Sequence, residues 1–364
     1  MMKKAVLTIL ITFICGSFAG SPRAAQETVR GDWLAEYYTR GRSKYSTAPR
    51  IQLTIKVGSP SSDRHHNSSF GVALSEFRGL NLSETSLDIP QARFELPRDA
   101  GTFHFEGIFR NGKGIGEFRF EPSSDFIAGM RSLGYSDLSD KLFELAMFDV
   151  SRNFIQEMAG LGYTNQSLNR LVEFRIHGVS PDYIKALRAA GYLELSASKL
   201  VEMRIHGVTP EYISEMKSAG YEDLTANKLV EMRIHGVTPE FIAAMKAAGY
   251  SELTANKLVE MRIHGVSADF VNKLREMGYD NLSSNRLVEM RIHGVSPAFI
   301  NELKQVGYDR LPVEKLVEFR IHGVSAKFIK ELKDAGYTDL SPDDLVEIRI
   351  HGRDGFLRKP KRSQ

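Results

Sequence analysis

Seven histidines, His177, His206, His235, His264, His293, His322 and His351, each complete the tetrapeptide Arg-Ile-His-Gly, and each follows the last by 29 residues. An imidazole at a fixed interval can ligate a metal, exchange a proton near neutrality or touch a ligand. Glutamates stand four residues before them, so Glu202, His206, Glu231, His235, Glu260, His264, His293 and His322 form a candidate interaction stripe. A shared zinc is hard to build from such a stripe. Stacked helices lie about 8–10 Å apart, whereas zinc ligands must bring nitrogens to about 2.1 Å from one ion. Two readings stay open for the stripe. Each histidine sits in the last turn of a helix, favoured by the macrodipole and paired with the glutamate one turn earlier, or the row is a proton-sensitive or ligand-contacting surface.

The same tetrapeptide carries an arginine: Arg175, Arg204, Arg233, Arg262, Arg291, Arg320 and Arg349. At about 100° per residue, Leu229, Val230, Met232, Ile234 and Val237 cover one broad face, with Arg233 in its middle and Glu231 and His235 opposite. A cation on an apolar face needs a partner. The expectation is a structural clamp between repeats, with the stem packed on an adjacent hairpin and the guanidinium bonded to its terminal carbonyls, loop backbone or a carboxylate.

The elements that hold these residues follow from the local signals. Thr225 is a good N-cap for a helix over 226–235, and Gly236 supplies a left-handed stop. Thr238 caps a second helix that opens on Pro239 and ends at Gly249, with Tyr250 folding back over the last turn. Each 29-residue unit is therefore a helical hairpin too short to bury its own apolar face, so copies must stack as an α-solenoid. A degenerate copy at 142–151 has Ala146-Met147-Phe148-Asp149 in place of Arg-Ile-His-Gly and is the expected joint to what precedes it.

The preceding part has a different period. From Gly31 to Glu121 apolar residues alternate with polar ones, as in Ile51, Leu53, Ile55 and Val57, then Phe103 and Phe105, then Phe118 and Phe120. This predicts about six strands in a small antiparallel sandwich or barrel. Asn111-Gly112 marks a hairpin, and residues 59–69 read as a polar loop. Asp63, His65 and His66 in that loop, with His104 on a strand and facing solvent, are the chemistry-bearing residues of this part, and as a cluster they would support a hydrolase. Adjacent histidines point to opposite sides of an extended chain, a poor zinc motif. No HExxH, Gly-x-Ser-x-Gly or phosphate-binding glycine loop occurs, so the sequence argues against an enzyme and implies no cofactor.

The 364 residues, 42% hydrophobic and 26% charged, have the composition of a folded chain. Lys3 and Lys4 precede an uncharged run from Ala5 to Phe18, and cleavage after Ala19 or Ala25 would release an exported protein with no spanning segment. Cys15, the single cysteine, lies inside that run, and Phe13-Ile14 before it lacks the small residues of a lipoprotein signal. The net charge of +3 owes much to Lys3, Lys4 and the tail Arg358-Lys359-Pro360-Lys361-Arg362. The expected plan is a signal peptide at 1–25, a β domain at 26–122, helical repeats at 123–352 and a basic disordered tail at 353–364.

Two resemblances bear on function. The core LVEMRIHGVTPEFI resembles repeats that follow the membrane-bound peptidase portion of some bacterial proteins related to β-lactam-sensing transducer metallopeptidases, and the run from Asp99 to Gly107 is similar to the strand region near them. The likeness spans Gly31 to Gly352 but omits the metallopeptidase helix, so it implies an extracytoplasmic sensory or interaction module without peptidase activity. Ile234-His235-Gly236-Val237-Thr238-Pro239 is similar to the helix-hairpin-helix turn of DNA-binding proteins. Thr238 stands where that motif has its second glycine, as do Ser180, Thr209, Ser267, Ser296 and Ser325 in other copies. The near-neutral repeats also lack the basic footprint of a nucleic-acid surface. A protein or peptide partner is the expectation, through the repeats or the β domain.

Overall fold

The computed structural model describes residues 28–38, 48–59, 62–138 and 140–357. The expected signal peptide, Cys15 and the basic run at 358–362 lie outside the described residues. The architecture is α+β in two parts: a six-stranded antiparallel sheet, then helices in a regular repeating arrangement. By compactness the chain divides into units Met1–Pro181 and Asp182–Gln364.

In the first unit the strands are β1 (Val29–Tyr38), β2 (Arg50–Ser59), β3 (Ser62–Ala73), β4 (Ile89–Arg98), β5 (Gly101–Arg110) and β6 (Lys113–Pro122), in the order β3-β2-β1-β6-β5-β4. This corrects the sandwich or barrel: all six belong to one sheet, with β3 and β4 at its two edges. Alternation marks a half-buried strand but does not say what covers the buried face. Here helices cover it. Phe143, in α2 (Leu142–Met147), meets the rings of Phe103, Phe118 and Phe120 at 5.6, 6.0 and 5.6 Å. The degenerate copy at 142–151 thus trades a repeat neighbour for the sheet, which is why it departs from the consensus.

The expected polar loop at 59–69 is also corrected, because most of it is strand β3, paired with β2 from Ser59↔Ser62 to Arg50↔Ala73. Its polar residues belong to an edge strand whose outer face meets water, where alternation with apolar residues is not required. The Asn111-Gly112 turn does close β5 onto β6, with φ of 49° and 73°.

The sheet core centres on Trp33, which is fully buried. Its indole Nε1 donates to the carbonyls of Glu106 and Glu117, both at 3.1 Å. A Cβ on Gly114 would lie 2.5 Å from the indole, and one on Gly107 2.8 Å, so these strands carry glycine where the ring must pass.

Helices α1 (Ser124–Ser132) and α3 (Arg152–Gly160) are tied to the β4–β5 turn by one arginine. Arg152 donates to Asp99 through its backbone N–H at 2.8 Å and its Nη2 at 2.7 Å, and pairs with Asp125 at 2.9 Å. Burial alone would raise the Asp99 carboxyl, but the bonds and charge of Arg152 outweigh it and hold it below the usual carboxylate range. A depressed folded pKa stabilises above the unfolded value, about 3.9, and this contribution disappears as pH falls through the folded pKa. Asp99→Asn should therefore cost on the order of 2 kcal/mol at neutral pH. Thermal melts from neutral to acid should converge for the two proteins; a constant gap at all pH would refute the assignment.

In the second unit the helices alternate between a first and a second helix of each hairpin. The first helices are α6 (Ala197–Ile205), α8 (Ala226–Ile234), α10 (Ala255–Ile263), α12 (Ser284–Ile292), α14 (Val313–His322) and α16 (Pro342–Leu357). The tail expected to be disordered from residue 353 begins instead with helical backbone to Leu357, after an interruption at Gly352 with φ 73° and ψ 169°. No helix among the described residues is long and apolar enough to cross a membrane.

Candidate interaction surface on the helical repeats

One hairpin shows how the sequence places its functional side chains. Thr225 accepts from the Lys228 amide at 3.2 Å and opens α8; Thr238 accepts from the Phe241 amide at 3.2 Å and opens α9 (Pro239–Ala247). Between them Gly236 holds φ 69°, which lets the Val237 amide reach back to the Met232 carbonyl at 2.8 Å and drives Val237 into the core. Leu229, Val230, Met232, Ile242 and Met245 complete the buried set.

The repeated arginines reach the preceding repeat. Arg233 Nε donates to the His206 carbonyl at 3.3 Å, Arg262 to His235 at 3.3 Å, Arg291 to His264 at 3.2 Å and Arg320 to His293 at 3.2 Å. Each acceptor ends a first helix, where carbonyls lack helical partners and the dipole is negative. The guanidinium carbons of Arg204, Arg233, Arg262, Arg291, Arg320 and Arg349 also stand 4.7–5.0 Å above the rings of Tyr183, Tyr212, Phe241, Phe270, Phe299 and Phe328. A Cβ on Gly236 would come within 2.8 Å of Arg262 Nη2, so that glycine serves both the turn and the arginine's approach. In the first unit Arg175 donates to the Phe148 carbonyl at 3.0 Å and pairs with Asp149. Asp149 holds the left-handed position, φ 53°, that glycine takes in later copies. Arg175 has this carboxylate partner, whereas Arg233, Arg262, Arg291, Arg320 and Arg349 pair with no carboxylate among the described residues.

Two further bond series join repeats and were not expected from the sequence. Lys217, Lys246, Arg275 and Lys333 donate to carbonyls of Ala190, Ala219, Ala248 and Val306, 27 residues back, at 2.7–2.9 Å. The hydroxyls of Tyr192, Tyr221, Tyr250, Tyr279 and Tyr308 donate to carbonyls 32 residues ahead at 2.6–2.8 Å. Both positions recur with the repeat, which was the available signal. A backbone acceptor leaves no mark on composition. Tyr212, whose hydroxyl donates to the Val237 carbonyl at 2.9 Å, has its phenol pushed up to about 12 by burial, against the opposing charge of Arg233.

The stripe of glutamates and histidines does not pair as expected. Glu202, Glu231 and Glu260 bond Lys199, Lys228 and Lys257, and Glu289 bonds Arg286 at 2.6 Å, each three residues earlier. The carboxylate takes the permanent cation one turn back. His206, His235, His264 and His293 are half-buried cap residues whose backbone carbonyls take the arginines. Among the described residues no group of three His, Cys, Asp or Glu is placed to hold a metal ion.

The apolar face also needs correction at one position. Ile234 is 53% exposed, and its equivalents Ile205, Ile263, Ile292, Ile321 and Ile350 are 54%, 54%, 55%, 56% and 50% exposed. Met232 and Ile234 are two residues apart, about 200° around the helix, so they cannot share a core-facing side. The result is one exposed isoleucine per repeat at the same helical position.

The chemistry-bearing residues of the sheet do not assemble. His65 lies opposite Gly58 and His66 opposite Val57 on edge strand β3, whereas His104 is on β5, four strand spacings or about 19 Å away. His104 does not simply face solvent. It is half-buried, with Nδ1 2.9 Å from Glu95 and Nε2 3.3 Å from Glu121. These carboxylates on neighbouring positions occupy the ring's two sides. No protein-family model matches the chain, and a comparison with curated proteins finds no match.

Proposed function

We propose that this protein is an exported, non-enzymatic interaction module whose helical hairpins stack as an α-solenoid and bind a protein or peptide along the first helices of the repeats. The observation that carries this reading is the row of isoleucines, each 50–56% exposed, at one helical position in six successive repeats. A scattered exposed apolar residue needs no explanation, but a regular row of large ones is costly for a monomer in water and is a surface suited to a partner. The inter-repeat bonds favour this role, because they hold the row in fixed register before binding and reduce the ordering cost. The Ala5–Phe18 run would direct the chain out of the cytoplasm, in keeping with the resemblance to extracytoplasmic sensory modules.

The test is in vivo crosslinking of the full chain, followed by cell fractionation and comparison with the variant Ile234→Ser/Ile263→Ser/Ile292→Ser. The expected result is a crosslinked partner in the extracytoplasmic fraction that is lost with the triple variant, while helix content is unchanged. A partner retained by the folded variant would overturn the reading of the surface.

A further inference from the structure

The exposed isoleucines do not stand alone. In each repeat the residue before the isoleucine is arginine; Arg233, Arg262, Arg291 and Arg320 reach the preceding helix end, and Arg262, Arg291 and Arg320 are exposed beside Ile263, Ile292 and Ile321. A guanidinium has five N–H donors in a planar fork. Here Nε spends its donor on a histidine carbonyl and the ring beneath fixes the plane, leaving the four N–H of the terminal nitrogens without an acceptor among the described residues. The neighbouring glutamates are already taken by the lysine or arginine three residues earlier. The row is therefore a series of oriented cations with no carboxylate, alternating with aliphatic side chains.

Resting on the reading that the first helices are the binding surface, we infer that the ligand is an extended, acidic segment of a protein, its carboxylates seated on the arginine forks and its aliphatic side chains on the isoleucines. Arginine forks match carboxylates bidentately, and their pre-set orientation lowers the ordering cost of each contact. The spacing suits an extended chain. Consecutive first helices bring Cα atoms within 8 Å of each other, and packed helices are spaced about 8–10 Å apart. Three residues of a polyproline-II chain advance about 9.3 Å and return a side chain to the same side, so one acidic–aliphatic pair per three residues keeps step with the repeats. A phosphodiester backbone would satisfy the forks but has nothing for the isoleucines.

The experiment uses the full mature chain and a fluorescent peptide with a glutamate–leucine pair every three residues. Three further probes accompany it: the same peptide with glutamine for glutamate, a single-stranded oligonucleotide, and vesicles of anionic phospholipid. The expected result is saturable binding of the acidic peptide that weakens with salt, roughly tenfold weaker binding of the glutamine peptide, and a similar loss on Arg291→Lys, which keeps the charge but not the fork. Ile234→Ser/Ile263→Ser/Ile292→Ser should reduce binding of both peptides. Equal affinity for both peptides, unchanged binding by Arg291→Lys, or tighter binding of the oligonucleotide or vesicles would overturn the acidic-segment assignment. If both peptides bind equally and the isoleucine variant still abolishes binding, the assignment fails and the binding surface stands. If the folded isoleucine variant binds every probe as the parent does, the surface itself is wrong.

Discussion

Trp33→Ala should destabilise the sheet by about 3–5 kcal/mol, the largest effect expected of any single substitution described. The indole is fully buried, meets the rings of Phe94, Phe105 and Phe109 at 5.3, 6.0 and 5.4 Å, and sits over glycines whose missing side chains make room for it. Removing it leaves a void that Gly107 and Gly114 cannot fill, because neither position has a side chain to move in. It also removes the indole N–H from the carbonyls of Glu106 and Glu117. Hydrogen exchange of the full chain should show lost protection in β1, β5 and β6 first. Trp33→Phe should recover part of the loss, since it restores ring volume without the N–H. A Trp33→Ala protein with parent-like protection in those strands would contradict the packing described.

Arg262→Glu should cost about 2–3 kcal/mol, whereas Arg262→Met should cost about 1 kcal/mol. The glutamate loses the bond to the His235 carbonyl and the contact with the Phe241 ring, and places a negative charge at the negative end of α8. The methionine keeps most of the stem packing and adds no charge. Because α8 and α10 contact each other and the next first helix on either side, the damage should be local, with faster amide exchange in α8 to α10 and little change in the sheet. If both variants melt like the parent, the guanidinium contributes nothing to the seam and its recurrence across repeats belongs to ligand contact alone. Glu in place of Arg at a fully exposed site would change stability by little, so the difference between the variants measures the seam itself.

The helical hairpin was legible from short-range chemistry. Thr225, Thr238, Pro239 and Gly236 mark starts and stops through bonds that close within three or four residues, and the structure places caps and turn at those positions. The Asn111-Gly112 hairpin was readable for the same reason: its backbone angles favour those residue types wherever they occur. The arginine's need for an acceptor could be read from its place on an apolar helix, but terminal carbonyls, loop backbone and a carboxylate all stayed open, and the structure chose the helix-end carbonyls.

What lay beyond the sequence was every choice among partners at long range. Alternating residues in β1 to β6 do not distinguish one sheet covered by helices from two sheets covering each other, and Phe143 settles that only by its position over Phe103, Phe118 and Phe120. The glutamates had a histidine and a lysine within one turn, and side-chain geometry chose the lysine. Ile234 looked like core because it is large and apolar, yet burial depends on where the neighbouring helices lie, and they cover Leu229, Val230 and Met232 while leaving Ile234 half exposed. Local backbone chemistry is written in adjacent residues and so was determined by the sequence as read. The exposed isoleucine and arginine row was decided only by the tertiary structure, because exposure is a property of the neighbouring repeat and not of the residue.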